Sequence, residues 1–251
     1  MTSGRARTVL NSLLLIAALL LLWQLLYWRV GDIAMRPPLA TVRYAAGMFA
    51  SEQFWGHLWE SMRAFAAALA IAVAVGLTLG LWLGFHRLSG DVFEPMLVAL
   101  YSIPKITLYP ILLLMFGLGI SAKIAFGAIH GIIPIALFTI TSVRNIKPVL
   151  IKTGRVMGLT TWQMFRTILF PAAVPEIFTG LRIGFALTLI GTLLGEMFAS
   201  QRGLGYLLKT AIGLHNVDQI MGVTFLLVVF AAIVSAVLIA IDRRLHARSA
   251  T

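Results

Sequence analysis

RNIKPVLIKTGRVMGLTTWQMFRTILFPAAVP, residues 144–175, is the longest polar interruption in a chain that is otherwise mostly apolar. It holds five cations, Arg144, Lys147, Lys152, Arg155 and Arg166, and no acid. It also contains Gly158 and an Ile-x-x-Pro that ends at Pro171. On either side the chain is written in apolar blocks of about 20 residues, the length that crosses a bilayer as a helix. A chain that keeps one structured basic stretch between such blocks uses it to touch something outside the membrane.

Of 251 residues, 60% are hydrophobic and 12% charged, with a mean hydropathy of +0.95. Soluble domains carry about twice that charged fraction. The composition therefore predicts an all-α, polytopic membrane protein. The net charge of +11 follows from the enrichment of Lys and Arg in cytoplasmic loops. No basic patch interleaves with exposed aromatics, so no nucleic-acid partner is expected. The chain has no cysteine, which excludes disulfides, thiolate zinc sites and thiol catalysis. Arg5 and Arg7 before LLLIAALLLLWQLL imitate the start of a signal peptide. The apolar run continues from about residue 9 to 28, however, and GDIAMRPP follows it rather than a small-x-small cleavage site. It reads as a retained first span.

Six spans are predicted, at about 9–28, 62–85, 94–116, 121–143, 177–199 and 219–241. Pro37-Pro38 opens a surface segment that ends in the Trp55/Trp59 pair, whose rings suit a membrane interface. The implied division is an N-terminal helix with an outer amphipathic segment (1–57), a transmembrane domain (58–242) and a short tail (243–251). With the N-terminus inside, Arg5, Arg7, Arg87, the five cations of 144–166, Arg243, Arg244 and Arg248 make eleven cytoplasmic cations. Arg29, Arg36, Arg43, Arg202 and Lys209 make five outside. This bias places both termini and the 144–175 loop in the cytoplasm.

Glycines recur at helix-packing spacing. Gly76, Gly80 and Gly84 do so in the second span, Gly127 and Gly131 in the fourth, and Gly180, Gly184, Gly191 and Gly195 in the fifth. Such faces let backbones approach where lipid supplies no hydrophobic drive. No nucleotide-binding G-x-x-x-x-G-K-[ST], H-E-x-x-H or G-x-S-x-G occurs, and the five His residues are scattered. No catalytic site, metal site or cofactor is expected. If energy is consumed, another subunit supplies it.

Ionisable residues at membrane depth are functional candidates. Lys105 sits in Ser102-Ile-Pro-Lys-Ile-Thr-Leu-Tyr-Pro110, eleven residues into the third span. Two readings stay open for it: a cation lining a translocation path, or a lysine neutralised by a neighbour. His130 lies nine residues into the fourth span, between path and packing roles. Glu196, in Gly195-Glu-Met, either pairs with a cation, holds the outer loop, or faces interfacial water.

With this topology, the basic loop resembles the signature of binding-protein-dependent ABC importer permeases. Their loop runs Glu-Ala-Ala, three residues, Gly, nine residues, Ile, one residue, Leu-Pro. Gly158, Ile168 and Pro171 fall at the matching spacing. Pro-Ala-Ala-Val-Pro-x-Ile-x-x-Gly-Leu-Arg at 171–182 resembles the sulfonate, taurine and nitrate type, as do Gly-Glu-Met at 195–197, Gly-Leu-Gly-Tyr-Leu at 203–207 and Ile-Pro-Lys at 103–105. The chain departs from the pattern at Lys152-Thr153-Gly154, where the family has Glu-Ala-Ala, and at Phe170, where it has Leu. The departure replaces an acid by a base and places a glycine in a helix, at about 1 kcal/mol relative to Ala.

The resemblance implies a type I importer (MetI-like) permease fold in the bacterial inner membrane. Lys152, Thr153, Gly154, Met157, Gly158, Leu159, Ile168 and Pro171 would belong to a coupling element that docks a cytoplasmic ATPase. Lys105, His130 and Glu196 would be candidates for the path. A second copy of the chain, membrane lipid, and a periplasmic or lipid-anchored binding protein complete the implied partners. Relatives of this type carry sulfonates, nitrate or small heterocycles. The alternative is a stand-alone secondary transporter or channel, which the lack of a visible inverted repeat and of acidic coupling pairs disfavours.

Overall fold

A computed structural model describes the backbone of residues 2–249 and the side chains of 10–198 and 200–244. The side chains of Arg5, Arg7, His246 and Arg248 and the end of the 243–251 tail lie outside that range. The described residues are helical, with no strand. Five helices have the length and hydropathy of a span: α1 (Thr2–Val30), α3 (Glu52–Phe85), α6 (Ile120–Arg144), the run Thr161–Phe198, and α11 (Val217–Ser249), which follows the short α10 (Leu204–Gly213). α2 is Pro38–Met48, and α4 (Arg87–Ser102) and α5 (Tyr109–Phe116) lie between α3 and α6.

The glycine spacing seen in the sequence explains the central packing. A Cβ on Gly76 would lie 2.8 Å from Ile135 Cβ, one on Gly80 2.8 Å from Ala136 O, and one on Gly84 2.8 Å from Val143 Cβ. From the other side, Gly127 and Gly131 lie against the Cβ atoms of Ala68 and Ala72. Contacts advance by four residues on both helices together, so α3 and α6 run parallel. The same stretch of α6 also meets the fifth-span helix: Gly180 meets Phe138, Gly184 meets Ile135, Gly191 meets His130 and Gly195 meets Lys123. Here one helix rises as the other falls, so α6 and the fifth-span helix are antiparallel. α6 thus packs against two helices, with Gly127, Gly131 and Ile135 touching both, and 56% of its apolar window is buried. Gly80→Leu is expected to cost about 1–3 kcal/mol through overpacking, read as a lower Tm in detergent. An unchanged Tm would mean that α3 and α6 part freely.

Parallel spans require a return crossing between them. That crossing is α4 with α5, and it departs from the straight third span expected at 94–116. The two helices are bent by 90° at the break. The cause is local. Pro104 cannot donate a hydrogen bond and drives the preceding residue out of helical geometry. Ile103 accordingly has ψ 134 and Pro104 ψ 95, and a 3-10 turn covers Lys105–Leu108. The depth of Lys105 therefore does not follow from counting 1.5 Å per residue along one helix.

The fifth span also begins earlier than the sequence suggests. α8 (Thr161–Met164) passes through a π turn (Phe165–Leu169) into α9 (Phe170–Ala199) without a break. Phe170 N donates to Phe165 O, five residues back. This widened turn sits just before Pro171, whose ring and missing N–H spoil the ordinary ladder.

Two compact units separate by their contacts. One holds the chain up to Gly56 with Leu207–Val229, and the other holds His57–Tyr206 with the chain from Phe230. In the first, Trp23 Nε1 donates to Arg36 O at 3.0 Å and Arg36 Nη2 to Asp218 Oδ2 at 2.9 Å. Gly222 packs on Tyr44 and Met48. A division at 57/58 by sequence alone misses this return of 207–229, because the Arg36–Asp218 pair joins residues far apart in the chain.

Candidate functional site

The basic stretch folds as two short helices joined by a turn. α6 ends at Arg144, whose guanidinium donates to Glu94 at 2.7 Å, to Asp91 at 2.9 Å and to Arg87 O at 3.4 Å. α7 (Pro148–Val156) starts with proline at its first position, where the missing N–H costs nothing. It stops at Met157 and Gly158. Gly158 has φ 67, its N–H donates to Arg155 O at 3.0 Å, and Leu159 N–H donates to Gly154 O at 3.1 Å. This pair of bonds is a Schellman motif, with glycine at the left-handed position after the helix. Thr160 then opens α8 with a capping box: its N–H donates to Gln163 Oε1 at 2.8 Å and its Oγ1 accepts from Gln163 N at 3.3 Å. The glycine of the motif is therefore the residue that lets one helix stop and the next begin two residues later.

Gly154 is buried where α7 crosses α8. A Cβ there would lie 2.6 Å from Met164 Cε and 2.7 Å from Ile168 Cδ1. Ile168 thus packs beneath the third residue of Lys152-Thr153-Gly154, and Met164 and Ile168 occupy the space an alanine methyl would take. Lys152 and Thr153 are exposed, as are Pro171 and Gly158; Leu159 is half-buried. Val156, Met157 and Trp162 are 89%, 69% and 67% exposed and form an apolar edge on this hairpin. Trp162 stacks on Phe165 at 5.8 Å, which holds its ring outward-facing on a fixed support. The hairpin exposes these apolar side chains together with four cations, Lys147, Lys152, Arg155 and Arg166.

At the far end of α9 is a second cluster. Glu196 is fully buried and accepts from Ser61 Oγ at 2.7 and 2.8 Å and from Gly205 N at 2.9 Å. Lys123, 1% exposed, donates to Glu60 at 3.0 Å and to Arg202 O at 3.1 Å, and lies 3.8 Å from Glu196. Leu204 N donates to Ser61 Oγ and Gly203 N to His57 Nδ1, whose ring stacks on Tyr206. The Gly-Leu-Gly-Tyr turn is thereby tied to α3, α6 and α9 at once. Of the sequence readings of Glu196, the geometry matches a carboxylate that pairs with a cation and holds the loop.

Neither Lys105 nor His130 joins that cluster. Lys105 Nζ donates to Tyr101 O at 3.1 Å and lies 4.6 Å from the Tyr101 ring centroid. His130 Nδ1 lies 2.8 Å from Phe126 O, its ring meets Phe126 edge-on at 4.5 Å, and Gly191 opens the space beside it. Lys123, Glu60, Ser61 and His57 are not among the residues singled out from the sequence. The available signal was a lysine three residues inside α6, which a membrane helix keeps only with partners. Among the described residues, no group of three or more His, Asp and Glu is placed to hold a metal ion.

The family model for the binding-protein-dependent transport system inner membrane component matches residues 72–250. The riboflavin transport system permease protein RibX of Chloroflexus aurantiacus is 34% identical over 78% of this chain and 76% of that protein. The taurine transport system permease protein TauC of Escherichia coli is 26% identical over 96% of this chain and 90% of its own. The formylaminopyrimidine transport permease protein ThiX of Halalkalibacterium halodurans is 36% identical, over 45% of each. A solved structure of the MetNI methionine ABC transporter in inward-facing conformations shares the fold, with a TM-score of 0.63, 22% identity, and coverage of 74% of this chain and 93% of that one. The chain belongs to the binding-protein-dependent transport system inner membrane components: it is the permease subunit of an ABC importer, and ATP hydrolysis resides on a separate subunit.

Proposed function

We propose that two copies of this chain form the path, with both termini and the α7–α8 hairpin in the cytoplasm and the Gly-Leu-Gly turn facing the binding protein. The observation that carries the reading is the hairpin. A Schellman stop and a capping box hold Val156, Met157 and Trp162 out of the bundle, where they would seat in a cleft of the ATPase. The four exposed cations support a partner that supplies acids, in place of the glutamate the family carries on its own loop. Lys105, half-buried at the 90° break, is the candidate for the path; His130 and Glu196 serve packing and loop anchoring.

Met157→Glu with Trp162→Glu is expected to reduce retention of the ATPase by at least about tenfold, since exposed apolar anchors carry most of an interface's energy. The measurement is co-purification of the importer's ATPase subunit with this chain. Undiminished retention would sink the docking role.

The cargo supported best is a small nitrogen heterocycle. Identity is 34% over 78% of this chain to the riboflavin permease, against 26% over 96% and 23% over 94% to the taurine and aliphatic sulfonate ones; the formylaminopyrimidine permease reaches 36% over 45%. Uptake by the reconstituted importer with its binding protein decides: accumulation of taurine, and of neither riboflavin nor formylaminopyrimidine, would overturn this cargo.

A further inference from the structure

A cavity of about 980 Å³ lies at the base of the hairpin, on the side that faces α3 and α6. It opens between the end of α3 (Gly84, Phe85), the end of α6 (Val143, Arg144) and the underside of α7 and α8. Three of its lining residues are arginines, Arg87, Arg144 and Arg155, against one acid, Asp91. Arg144 spends two nitrogens on Asp91 and Glu94, while its buried Nε has no acceptor. Among the described residues, no carboxylate pairs with Arg87 or Arg155.

Depth and wall chemistry narrow the ligand. α3 and α6 run parallel and both end beside this cavity; with their apolar runs taken as spans, the cavity falls at the edge of the hydrocarbon core, where headgroups lie. Between the arginines the walls are apolar: Phe85, Ile146, Ile151, Met164 and Leu169. A small hydrated anion gains nothing from such walls. An amphiphile with an anionic phosphate gains from both, and basic pockets between helices on the cytoplasmic side suit anionic headgroups. We propose that this cavity binds the phosphate headgroup of an anionic phospholipid, with Arg87 and Arg155 on the phosphate and the glycerol end against the apolar wall. The site lies directly beneath the α7 turn, so its occupancy braces the hairpin that presents Met157 and Trp162. The inference rests on the membrane embedding proposed above and not on ATPase docking, so a failed lipid test leaves the permease reading intact.

The test is native mass spectrometry of the full chain, released from detergent with phosphatidylglycerol or phosphatidylcholine. Phosphatidylglycerol should be retained in preference. A cation near an anionic lipid is worth about fivefold in affinity, so Arg87→Gln with Arg155→Gln should weaken retention by roughly thirtyfold. Arg243→Gln with Arg244→Gln, equally basic but not among the residues that line the cavity, should leave it unchanged. Should the first pair fail to fold, Ile151→Trp fills the cavity and must also lose the lipid. Equal retention of both lipids, or equal loss from the two arginine pairs, overturns the proposal. Displacement of phosphatidylglycerol by millimolar inorganic phosphate would reassign the cavity to a free anion. Displacement by the ATPase subunit would make it a protein seat.

Discussion

Lys123→Met is expected to destabilise the folded protein by about 3–5 kcal/mol, the penalty of leaving a buried charge without its partner. The ammonium stands between Glu60 at 3.0 Å and Glu196 at 3.8 Å and is 1% exposed. The two carboxylates left behind are not equivalent. Glu60, at 21% exposure, borders a 450 Å³ pocket and can be reached by water. Glu196 is sealed beneath the Gly-Leu-Gly turn, where Gly203 and Gly205 have no side chain to push it aside. Removing the sealed charge should therefore rescue: Lys123→Met with Glu196→Gln should recover at least half of the loss, while Lys123→Met with Glu60→Gln should recover less. Thermal unfolding in detergent checks the series. A single variant as stable as the parent would show that the cluster carries no net charge to compensate.

Gly158→Val should abolish most coupling without disturbing the bundle. At φ 67, a residue with a Cβ pays about 1–2 kcal/mol, more when β-branched. Nothing lies within 4 Å of a Cβ built there, so the penalty is conformational and not steric. The order Gly, Asn, Ala, Val should then follow the left-handed propensity of each residue, with Asn closest to the parent and Val at least about tenfold down in substrate-stimulated ATP hydrolysis. Gly158→Trp adds bulk at the same edge and should lose ATPase retention as well. A flat series would remove the Schellman turn from the coupling role.

The apolar spans, the glycine-lined packing faces and the position of the Gly158 turn were legible in the sequence because each rests on local spacing. The four-residue glycine steps became a parallel and an antiparallel interface, and the Gly158 spacing became a turn with two named hydrogen bonds. Direction was less legible. Hydropathy records that 94–116 is apolar, and carries no information that Pro104 turns the chain by 90°. Pro171 and Pro175 were read as ending a loop, yet the helix passes through both after a π turn. The Lys123 cluster was not legible, because Glu60, Lys123 and Glu196 come from three helices and meet only after those helices pack.

The unbroken course from Thr161 to Phe198 has a mechanical consequence. Its 38 residues make a rod of roughly 57 Å at about 1.5 Å per residue, well beyond the ~30 Å hydrocarbon core. One tip carries Trp162 and the other Glu196, with no flexible linker between them. From Gly180 on Phe138 to Gly195 on Lys123, α9 lies against α6, so the glutamate end is fixed to the bundle while the tryptophan end projects beyond it. The π turn at Phe165–Leu169 lies between the projecting end and the packed stretch.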